Sequence, residues 1–111
     1  MAYDEDLAER IRELVDDEPD LTEQKMFGGL AFLIGGNMAV AASGQGGILV
    51  RADPDQSEEL ASAPGVSLME MRGRLMPGWL RVDAGVLDAE DALAGWVRLG
   101  VGYARTLPRK G

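Results

Sequence analysis

Met26-Phe27-Gly28-Gly29-Leu30-Ala31-Phe32-Leu33-Ile34-Gly35-Gly36-Asn37-Met38-Ala39-Val40-Ala41-Ala42 is the stretch that decides the fold. Gly35-Gly36-Asn37 is a chain reversal, because glycines tolerate the positive φ that tight hairpin turns require. Ser43-Gly44-Gln45-Gly46-Gly47 supplies a second reversal. Phosphate-cradling loops deliver an anion to a following helix, whereas Ile48-Leu49-Val50 continues as strand, so this loop also reads as a hairpin. Residues 24 to 52 therefore predict a three-strand meander, Met26 to Ile34, Met38 to Ala42 and Ile48 to Arg51. Leu30 to Ile34 is apolar on both faces, as in a central strand covered twice. Gly28-Gly29 within the first strand allows a bulge or the close approach of another backbone, with Ala31, Ala39 and Ala41 as small residues on which a helix can pack.

Working outward, Leu7, Ile11, Leu14 and Val15 recur at helical spacing between charges, predicting an amphipathic helix from Asp4 to about Asp17 that ends before Pro19. Asp53-Pro54 predicts the start of a short helix that stops at Ala63-Pro64-Gly65. Val66 to Met71 and Leu75 to Val82 predict two further strands joined at Arg72-Gly73-Arg74, the second bent at Pro77-Gly78. Asp88 is expected to open a last helix whose Leu93, Trp96, Val97, Gly100, Val101 and Ala104 make one apolar face, closed by Leu107-Pro108. The expected order is α-β-β-β-α-β-β-α, an α+β domain over residues 1–107 with helices packed on a mostly antiparallel sheet and a loose tail over 108–111.

Composition restricts the chemistry. The 111 residues include no His and no Cys, which removes disulfides, thiolate nucleophiles, cysteine-based metal centres and the usual neutral-pH base. A Ser or Thr nucleophile would have only Lys25 and Lys110 as lysine bases, and the acids follow no recognisable catalytic or calcium-loop spacing. No enzyme activity, cofactor or metal is expected. Nineteen acidic residues outweigh eleven basic ones for a net charge of −8, and ten of the acids lie in residues 1–23 beside only Arg10 and Arg12. Arg72, Arg74 and Arg81 are the candidates for phosphate contact, but with Trp79 alone as a stacking platform direct nucleic-acid binding is not expected. An acidic start argues against a secretory signal, and the apolar run from Leu30 to Ala42 is shorter than the roughly 20 residues of a membrane span. A cytoplasmic location is expected.

Five of the six Met are internal, and Met69 and Met71 alternate onto one strand face where they can form a groove with Met76 and Trp79. That groove and the Gly28-Gly29 segment make Met26, Phe27, Gly28, Gly29, Arg74, Met76 and Trp79 the candidate interaction surface. A protein partner is expected there, or a second copy of the chain. The alternative is a small-ligand or enzymatic module with the glycine-rich strand lining a pocket.

Lys25-Met26-Phe27-Gly28-Gly29-Leu30-Ala31-Phe32, followed by Gly73-Arg74-Leu75-Met76-Pro77-Gly78-Trp79 and the helix of Trp96, resembles the N-terminal domain of the TfoX/Sxy family. The resemblance spans the chain from the first helix to Ala104. It implies a fold related to the secretion-chaperone-like class and a role in regulating natural competence, exerted in full-length members together with the cyclic-AMP receptor protein at promoters. A transcription regulator is thus the implied kind of partner, and the family supplies no catalytic residue. The sequence ends after the last helix, short of the additional C-terminal domain of the competence regulators, so a stand-alone version of the domain is expected.

Overall fold

The computed structural model describes residues 3–26 and 28–109. Its first element, α1 (Glu5–Val15), starts where the Asp4 carboxylate accepts hydrogen bonds from the N–H groups of Asp6 and Leu7 at 3.0 and 3.2 Å. Leu7, Ala8, Ile11 and Val15 are buried, while Leu14, expected on that stripe, is 37% exposed.

The meander holds one strand more than its sequence suggests. Met26 to Ile34 is not one strand but parts of two: β1 (Leu21–Met26) and β2 (Gly29–Ile34) pair antiparallel, with Met26 opposite Gly29 and Gly28 at φ +73° in the turn. Phe27 lies outside the described residues. The positive φ of Gly28 makes the reversal, and Gly29 serves the next pairing: a Cβ there would stand 2.1 Å from the Ala42 carbonyl oxygen, so only glycine lets β3 approach. β3 (Asn37–Ala42) follows a turn with both Gly35 and Gly36 at positive φ, and β4 (Ile48–Arg51) completes the run.

Asp53 caps a turn, its carboxylate accepting from Asp55 N–H at 2.9 Å, rather than the helix α2 itself, which is the single turn Ser57–Leu60. β5 (Val66–Met71) and β6 (Arg74–Val82) form a hairpin over Arg72 and Gly73, both at positive φ. Pro77-Gly78 is the expected bend: pairing jumps from Leu68 opposite Leu80 to Met69 opposite Met76. A 3-10 turn over Ala84–Asp88 precedes α3 (Glu90–Thr106), so Asp88 ends that turn instead of capping the helix.

The six strands form one antiparallel sheet in the order β1-β2-β3-β4-β6-β5. The helical core residues all belong to one cluster, with Leu30, Phe32, Val40, Ile48, Val50, Leu80 and Val82 as its floor. Trp96 lies half-buried at its margin. Gly100 sets how close α3 lies, because a Cβ there would meet the Ala39 carbonyl oxygen at 2.3 Å. The small-residue surface foreseen for a helix is thus real at Ala39, whereas Ala31 and Ala41 belong to the opposite face. On that face Ala31, Leu33, Met38, Ala41 and Leu49 form a second cluster without a helical member, flanked by Met26 from one side and by Met69 and Trp79 from the other. Side chains of the sheet itself therefore cover the second face of β2 and β3.

Past α3, the buried Asn37 side chain donates to the Pro108 carbonyl at 2.9 Å, and Arg109 pairs with Asp20 at 3.0 Å. Residues 110 and 111 lie outside the described residues.

Candidate functional site

The outer part of the β5–β6 hairpin, residues 70–77, is an arm exposed to solvent at every position but the half-buried Met76. Residues alternate along β5, so Ser67, Met69 and Met71 share the helix-free face while Val66 and Leu68 turn to the main core. Met69, Met71, Met76 and Trp79 enclose an apolar groove of about 210 Å³ on that arm. Met71 is 37% exposed and Leu75, on the other side of the arm, 61% exposed. Thioether side chains in such a groove adapt to the shape of what they contact.

Trp79 is held from behind. Arg51 lies opposite it in the β4–β6 ladder, with the guanidinium carbon 4.5 Å from the Trp79 ring centroid and 5.5 Å from that of Tyr103 on α3. Both lie inside the range of cation–π attraction, so the groove's aromatic wall is braced against the helix layer.

The sheet also separates charge. Arg12 of α1 binds Glu23 of β1 through two hydrogen bonds of 2.8 and 3.0 Å and Glu9 at 2.7 Å, and these bonds lower the Glu23 pKa and raise that of Arg12. Arg10 pairs with Glu90, Arg105 with Glu18 and Arg109 with Asp20. Arg51, Arg72, Arg74 and Arg81 have no carboxylate within 4 Å among the described residues, and all four lie on β4, β6 or the arm's tip. Arg98 on α3 and Lys25 on β1 likewise have no carboxylate within 4 Å among those residues, so the β5 side is marked by the local group Arg72, Arg74 and Arg81, while the acidic helix packs beside the β1 edge.

The residues singled out in the sequence fall into two groups on this face. Arg74, Met76 and Trp79 come together on the arm. Met26 packs on the second cluster from the far flank, beside the exposed Gly28, with β2, β3 and β4 between the groups. Gly29 is filled against Ala42 and serves the hairpin. Arg51 and Leu75 escaped sequence reasoning. A lone arginine closing the apolar run Ile48-Leu49-Val50 is the one signal that pointed to the former.

Among the described residues no group of three or more acidic side chains is placed to hold a metal ion, and no helix is long and apolar enough to cross a membrane. Comparison with curated proteins gave no match, and comparison with solved structures gave none either. The family model for the TfoX N-terminal domain matches residues 13–104, a span that runs from the last turn of α1 to the last buried residue of α3 and takes in the whole sheet. The chain belongs to the TfoX N-terminal domain family.

Proposed function

We propose that this domain is a non-enzymatic regulatory adaptor that works by contact with another protein, a transcription regulator, in the cytoplasm. The observation that carries the reading is the apolar groove of Met69, Met71, Met76 and Trp79 on an arm that also exposes Leu75. Apolar surface gathered at one exposed hairpin, with unpaired arginines beside it, is the composition of an interface anchor. The choice of partner class follows the resemblance to the TfoX/Sxy family, which implies a role in competence regulation.

The test is capture from native lysate with the tagged chain as bait. Wild type is expected to retain one reproducible partner that Leu75→Glu and Met76→Glu lose, while Arg98→Glu on the outer face of α3 keeps it. A bait that recovers no reproducible protein, from a chain that sediments strictly as a monomer, overturns the reading.

A further inference from the structure

We infer that the outer edge of β5 is a strand-addition site, and that its occupant is an extended acidic segment of the partner with the pattern acid-x-apolar-x-acid. The inference rests on the adaptor reading and names what that adaptor grips.

The two edges of the sheet are unlike. β1 presents Thr22, Glu23, Gln24 and Lys25, all exposed, the charged guard that keeps a sheet edge from pairing. β5 is the last strand on the other side and spans Val-Ser-Leu-Met-Glu-Met with Glu70 as its one charge; its Val66 N–H is taken by the Ala63 carbonyl at 3.1 Å, and the outer backbone groups beyond it carry little protection. A strand added there lies one strand spacing away, roughly 5 Å, with alternate side chains on the helix-free face.

The register specifies those side chains. Facing Ser67, the added residue stands one strand beyond Arg81, the direct partner of Ser67 on β6, with only a small side chain between them, a gap that two long charged side chains span. Two residues on, it meets Met69 and the groove. Two further on, it meets Met71 and its partner Arg74, with Arg72 in the adjoining turn. Unpaired arginines at both ends and an apolar slot between them call for a carboxylate, an apolar side chain and a carboxylate.

A second copy of the chain does not supply this pattern. Its own β5 carries Ser67, Met69 and Met71 on this face and would bring Arg74 and Arg81 against arginines. Its β1 carries Thr22, Gln24 and Met26 there, with no acid.

The probe is a blocked heptapeptide, Thr-Glu-Thr-Leu-Thr-Glu-Thr, titrated into the labelled full chain while backbone amide NMR signals are followed, against the same peptide with Lys for Glu. The acidic peptide should shift the amides of residues 66–71 saturably and bind at least fivefold tighter at low salt, the gap narrowing as salt is added. Arg74→Ala and Arg81→Ala should each remove most of that preference while the chain stays folded, and N-methylation of alternate peptide amides should abolish binding. Equal binding of the two peptides, no binding of either, or shifts confined to other elements overturns the inference. So does a dimer of the chain alone with its β5 amides protected from exchange. Failure here, while Leu75→Glu still loses the captured partner, removes strand addition and leaves the adaptor reading standing; failure of both removes both.

Discussion

Arg51 and Trp79 stand opposite each other across β4 and β6, guanidinium over indole at 4.5 Å, and through Tyr103 the pair ties the sheet's arm to α3. Trp79→Ala should cost about 2 kcal/mol in urea unfolding, since a half-buried indole loses apolar contact with Met69 and the second cluster. In a double-mutant cycle with Arg51→Ala the coupling should be about 0.5–1 kcal/mol, the size of a partly exposed cation–π contact. A coupling of zero would show that the two side chains stack without mutual stabilisation.

Glycines of α3 divide by what surrounds them. Gly95 and Gly102 face open space, so alanine there should stabilise the protein by roughly 0.5–1 kcal/mol through helix propensity alone. Gly100→Ala has the same propensity gain but drives a methyl group into the Ala39 carbonyl, and should instead destabilise by roughly 1–3 kcal/mol. Thermal unfolding of the three variants gives opposite signs if close helix–sheet approach is what Gly100 provides.

How much of this was legible in the sequence follows from what each segment buries. Leu30 to Ile34 and the α3 stripe announce themselves because tertiary burial and local periodicity agree, so the sheet's centre, its main helix and the α+β class could be read directly. β1 could not, because an edge strand exposed from Thr22 to Lys25 has no apolar alternation to display. Asp53 and Asp88 resemble helix caps, but one satisfies a turn through a bond two residues on and the other ends a 3-10 segment, alternatives that the same residue types serve equally well. The groove was foreseeable from the alternation of Met69 and Met71, whereas the Arg51–Trp79 contact joins strands that no local pattern pairs.

The two ties that hold the chain past α3 should differ in worth. Asn37 is buried, so Asn37→Ala removes a shielded hydrogen bond to the Pro108 carbonyl and should cost about 1 kcal/mol. Arg109 and Asp20 are 72% and 42% exposed at their side chains, and Arg109→Ala should change stability by less than about 0.5 kcal/mol. Urea unfolding of the two variants checks the ranking, and equal effects would contradict it.

The Arg12–Glu23 pair predicts a pH-dependent share of stability whose sign is fixed by the direction of the carboxylate's shift. Glu23 binds its proton less readily in the folded chain than its ordinary value of 4.5 implies, first because Arg12 donates to it. A carboxylate depressed in this way contributes its full stabilisation above the unfolded value and loses it as pH falls through the folded value. Arg12→Gln should therefore be less stable than wild type at pH 7, with a gap that is flat down to about pH 5, shrinks as pH falls below the unfolded value and is lost below the folded one. The partners are about a third exposed, so added salt should narrow the gap at pH 7 as well. Unfolding curves at pH 7, 5 and 3 decide it. A gap that persists undiminished at pH 3 would mean that Arg12 acts by packing its methylene stem between α1 and β1, not by its charge on Glu23.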